Sequence, residues 1–121
     1  MPSSRRSSSP EAAALRTAAE ASRKQLLDQA RQQARLIRSG AVGELTEADV
    51  KRMAEDIVTA ARARLDAAAP HSQGLSADPE LRATRREADQ IMTTTARQAG
   101  AVLLRAWRAL HDEGAGRRWH R

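Results

Sequence analysis

Three arginines, Arg86, Arg97 and Arg108, recur every eleven residues through the longest patterned stretch of the chain, Pro79 to Glu113. Eleven residues is close to three helical turns, so a helix would stack their guanidinium groups in a column with about 16 Å between members. Such a column can hold phosphates or acidic side chains. It is equally what the water-facing side of an ordinary surface helix looks like. A second basic set, Arg31, Arg35 and Arg38 with Lys24, shares one face of the N-terminal third. A third, Arg117, Arg118 and Arg121, surrounds Trp119 and His120. A tryptophan among arginines can stack on a base, insert at a membrane surface or pack onto its own domain.

Catalytic constellations do not emerge. The three histidines are His71, His111 and His120, and no two have the i,i+4 spacing of a helical metal site. His111 fits better as a cation at a helix C-terminus. Glu55 and Asp56, like Glu87 and Asp89, point to different sides of a helix and cannot act as a carboxylate pair. Gly40 and Gly43 lack the lysine and serine of a phosphate-cradling loop, and there is no cysteine. The expectation is a protein that is not an enzyme, with no cofactor, no metal and no small-molecule substrate.

These residues are positioned by three helices, expected at about 10–38, 47–69 and 79–113. Pro10 and Pro79 each stand at a first helical position, after Ser9 and Asp78 as N-caps and before Glu11 and Glu80. In the first helix Leu15, Ala18, Ala19, Ser22, Leu26, Ala30, Gln33 and Ile37 form a thin apolar face, and the polar Gln29 and Gln33 at that seam suit a helical interface. Ser39 and Gly40 end it. Thr46 to Asp49 approximates a capping box, after which Val50, Ala54, Ile57, Ala61, Leu65 and Ala68 line one face until Pro70. In the third helix Leu81, Ala88, Met92, Ala96, Ala99, Leu103, Ala106, Trp107 and Leu110 fall within one arc. Gly114 is a candidate C′ residue, and Thr93 to Gly100 is a middle weaker than either end, which leaves room for a bend.

The fold expected is therefore all-α: three long antiparallel helices, an up-down-up bundle or extended helical hairpin, within one domain over residues 10–113. A Ser/Arg arm over residues 1–9 and a basic tail over 114–121 are expected to be disordered. The helices are longer than those of a DNA-reading helix-turn-helix.

Leu, Ile and Val total 18 of 121 residues and the only aromatics are two tryptophans. A core this poor in bulk makes self-association or a protein partner the expected source of further stability. Leu103, Leu104, Trp107 and Leu110 are the expected partner interface, because Leu104 lies off the main arc beside the arginine column. Nucleic acid, held through Arg31, Arg35, Arg38, Arg86, Arg97, Arg108, Arg117 and Arg118 without base specificity, is the alternative. The formal net charge is +6 and nearly all of the positive charge is arginine, so the high pI is weak evidence for it. No apolar run reaches the roughly 20 residues of a membrane span; a membrane partner is not expected and the location expected is cytoplasmic.

Overall fold

The computed structural model describes residues 10–70 and 78–119, with side chains through residue 112. It contains three helices, α1 (Pro10–Ser39), α2 (Glu47–Ala68) and α3 (Pro79–Trp119), and no strand among the described residues. At about 1.5 Å per residue these are rods of about 45, 33 and 61 Å. They form the expected three-helix bundle. The proposed N-cap Ser9, the 1–9 arm and the 71–77 connection lie outside the described residues.

Local chemistry sets the helix ends. Gly40 takes φ +79°, a left-handed conformation that a side chain resists. The Gly40 N–H then donates to Ile37 O and the Ala41 N–H to Leu36 O, both at 3.1 Å, the double hydrogen bond of a Schellman stop. The capping box that opens α2 is complete: Asp49 N–H donates to Thr46 Oγ1 at 3.1 Å, and Thr46 N–H donates to Asp49 Oδ2 at 3.0 Å. The Thr46 backbone N–H above all, then the Thr46 side chain and last the Arg52 charge, hold the Asp49 carboxyl below its ordinary value of 3.8, against an opposing effect of desolvation. Asp78 caps α3 by accepting from Glu80 N–H at 3.0 Å.

One expectation about α3 is corrected. The helix does not end at Glu113 but runs through Gly114 and Gly116 to Trp119. A glycine stops a helix by taking a left-handed φ, and these two are helical. His111 consequently lies two turns inside the helix instead of at its end. Thr93 to Gly100 is helical throughout, and Thr95 Oγ1 donates to Ile91 O at 2.7 Å, so this buried hydroxyl is satisfied by the preceding turn of its own helix.

α1 and α3 run parallel and share the most extensive interface, with α2 antiparallel beside both. One core cluster is built on Leu15, Leu26, Leu65, Leu81 and Met92, and a second, toward the α1–α2 turn, on Ile37, Val50 and Leu103. Alanine fills the places between. Thr84 and Thr95 occupy core positions that the apolar pattern did not assign, Thr84 accepting from Arg16 Nη2 at 3.2 Å. Ala96 and Trp107 of the expected arc are half-buried, and Ala68 is exposed where Ala69 takes its place inside. At the far end Arg85 clamps α3 to α2. Its Nε lies 3.1 Å from Asp89 Oδ1 and its Nη2 3.0 Å from Asp66 Oδ1, the latter at ion-pair distance but off hydrogen-bond geometry.

Leu103 is fully buried, so Leu103→Ala should destabilise the bundle by about 2–5 kcal/mol, whereas Arg97→Ala should change it by less than about 0.5 kcal/mol. Urea midpoints of the two variants check this. Because the folded-state pKa of Asp49 is depressed, its stabilising contribution is whole above the ordinary carboxylate range and disappears as pH falls through the folded-state value. Asp49→Asn should therefore flatten the fall of melting temperature below about pH 4, and an acid limb identical to that of the native chain would contradict the assignment.

Candidate docking surface at the turn end of the bundle

Past the Schellman stop, Gly43 also turns left-handed (φ +76°) and swings the chain over the end of the bundle. Leu45 then precedes the N-cap and packs with Val50 in the second core cluster, the arrangement of a hydrophobic staple. Its carbonyl faces α3 and accepts from Trp107 Nε1 at 2.7 Å. One indole thus satisfies an otherwise unpaired loop carbonyl and ties the α1–α2 turn to the third helix. His111, one turn on, places its ring 4.2 Å from that of Trp107 at 43° and sets Nδ1 3.0 Å from Trp107 O, a contact that requires the proton on Nδ1.

Between turn and helix lies a cleft of about 480 Å³. Ile37, Leu45, Trp107 and Leu110 supply its apolar walls, and Glu44, Thr46 and His111 its polar edge. Leu36 and Val42, the two large apolar side chains most open to water among the described residues at 37% each, flank the same turn.

The four residues expected to meet a partner separate here. Leu103 is fully buried within the bundle and offers no surface, which corrects that part of the expectation: it lies at the centre of the arc that α3 turns toward both neighbours. Leu104, Trp107 and Leu110 are half-buried and pack against the second cluster, so Leu104 has the intramolecular role that its position beside the arginines concealed. The last two carry the cleft.

The basic residues divide as well. Arg86, Arg97 and Arg108 are exposed along the outer face of α3, as their spacing predicts. Arg108 Nη2 lies 3.8 Å from Glu47 Oε2 and Arg31 Nη1 lies 3.7 Å from Asp28 Oδ1. Arg35, Arg38, Arg86 and Arg97 are exposed without an ion pair among the described residues. Arg117 and Arg118 stand in the last turn of α3, where cations suit the helix dipole. His71, His120 and Arg121 lie outside the described residues.

Among the described residues no three His, Cys, Asp or Glu side chains come together as a metal site, and no helix is long and apolar enough to cross a membrane. Sequence reasoning missed Leu45, although an apolar residue directly before a capping box is the signal of a staple. It also missed Leu36 and Val42, for which periodicity carries no signal. No protein-family model, curated protein or solved structure matches this chain.

Trp107→Phe keeps the ring but leaves Leu45 O unpaired, and should cost about 1–3 kcal/mol. Hydrogen exchange at the amides of the 43–46 segment should accelerate in the same variant, and unchanged protection there would show that the indole does not hold the turn.

Proposed function

We propose that this chain is a non-catalytic helical interaction protein of the cytoplasm, which self-associates or docks on a larger assembly through the turn end of its bundle. A single observation carries this: a cleft walled by Ile37, Leu45, Trp107 and Leu110 opens at the α1–α2 turn, and the two most exposed large apolar side chains of the described residues, Leu36 and Val42, flank that turn along the chain. The cleft's walls are already held by the core beneath them, so little side-chain order remains to be lost on binding, which favours association. An indole flanked by aliphatic side chains is also the kind of anchor that dominates helical interfaces.

A second reading rests on a separate observation. Arg86 and Arg97 are exposed and unpaired on the outer face of α3, on the column that Arg108 continues, and this suits a run of phosphates on a nucleic acid held without base specificity.

Sedimentation equilibrium at micromolar concentration should give a dimer or larger species that Leu110→Glu returns to monomer. A cooperatively folded monomer throughout would remove the self-association arm. Duplex DNA binding that weakens steeply with salt, and that is lost in a chain carrying Arg86→Gln and Arg97→Gln, would favour the second reading; no affinity at low salt would dispose of it.

A further inference from the structure

Arg64 lies half-buried on α2 against α1, and its Nε and Nη2 are shielded from solvent with no hydrogen-bond partner. Leaving guanidinium N–H groups dry and unpaired is costly. These two nitrogens are also not an arbitrary pair. They form the one side edge of the guanidinium whose N–H bonds run parallel, the fork that grips both oxygens of a carboxylate. The same molecule shows that edge occupied in Arg85, where Asp89 meets Nε and Asp66 meets Nη2.

The surroundings of Arg64 supply no equivalent. One turn to either side on α2 stand Ala60, Ala61, Ala67 and Ala68. Across from it, a cleft of about 220 Å³ is walled by Gln25, Gln29, Gln32 and Asp28 of α1. Asp28 is drawn to Arg31, 3.7 Å away. The three glutamines are exposed residues on flexible stems, so they can swing aside to admit a ligand and then turn their NH₂ groups toward it.

We propose that this cleft is a carboxylate receptor, in which the Nε–Nη2 edge of Arg64 binds both oxygens and the glutamine amides donate to the remaining lone pairs. With Arg31 offsetting Asp28, the Arg64 guanidinium is the one positive charge left over at the cleft, which matches a single negative charge better than the dianion of phosphate. The site lies between α1 and α2, apart from the Trp107 cleft, and stands or falls independently of it. It also gives Gln29, exposed beside the α1 seam, a part to play.

Proton–nitrogen NMR spectra of the full chain test this, with sodium acetate titrated against sodium chloride at constant ionic strength. The Arg64 Nε–H resonance should move downfield and saturate with acetate but not with chloride, and the Gln29 side-chain amide should move with it. In Arg64→Lys, which keeps the charge but loses the fork, the Gln29 response should vanish while circular dichroism shows the helices intact; Arg86→Lys should respond like the native chain. A glutamate-containing peptide that saturates the shift at lower concentration than acetate would identify a protein side chain as the source, and equal affinity would identify a free carboxylate. Three results overturn the proposal: an Arg64 resonance indifferent to acetate, one already downfield in the free protein and restored upfield by Asp28→Asn, or saturation by inorganic phosphate at lower concentration than by either carboxylate.

Discussion

The contact between α1 and α3 is the constraint from which the rest follows. Its buried positions alternate single bulky side chains, Leu15, Leu26 and Ile37 on one helix and Leu81, Met92 and Leu103 on the other, with alanines such as Ala12, Ala19, Ala30, Ala88, Ala99 and Ala106. Alanine orders without loss of rotamer freedom and favours the helix intrinsically, but each one removes little area from water. A seam of this composition gains its stability through length, which is why the two helices that share it are the two longest. α2, at 22 residues, closes the core without spanning it, and carries three of the buried residues in its helix, Val50, Ala61 and Leu65.

What was legible in the sequence is what a helix decides for itself. Periodicity identified α1's inner face from Leu15 to Ile37, α3's from Leu81 to Ala106, and the solvated column of arginines, because each face repeats with the helical period regardless of neighbours. The capping box at Thr46 and the proline starts are chemistry confined to one turn, and they too were readable. Boundaries and faces failed where another element supplied the reason. Leu104 looks surplus until the second core cluster is assembled beside it, and Thr84 looks polar until Arg16 reaches it from α1. The candidate surface was half legible: Trp107 and Leu110 stood out as anchors, whereas the Leu45 carbonyl reaches Trp107 only through the tertiary path of the 40–46 segment.

The charges divide along similar lines. Most ion pairs lie within a single helix at i,i+3 or i,i+4 and join exposed side chains, as in Glu20 with Arg23 or Glu47 with Lys51. Pairs of that kind contribute about 0–1 kcal/mol and are weakened by salt. Arg85 differs because its side chain is 22% exposed and bridges two helices. Arginine abundance therefore says little about what holds this fold or what meets it. The informative guanidinium groups are the few that lie partly inside, where a partner is either present, as for Arg85, or wanting, as for Arg64.

The Arg85 clamp and the parallel pairing of α1 with α3 have a bearing on connectivity. α3 is gripped along one side by α1 from Arg16 upward, and is fastened near its start to the last turns of α2, so its seat in the bundle is set by side chains on both neighbours. The first two helices thus present, as a pair, the side chains on which the third is seated, Arg16 from one and Asp66 from the other.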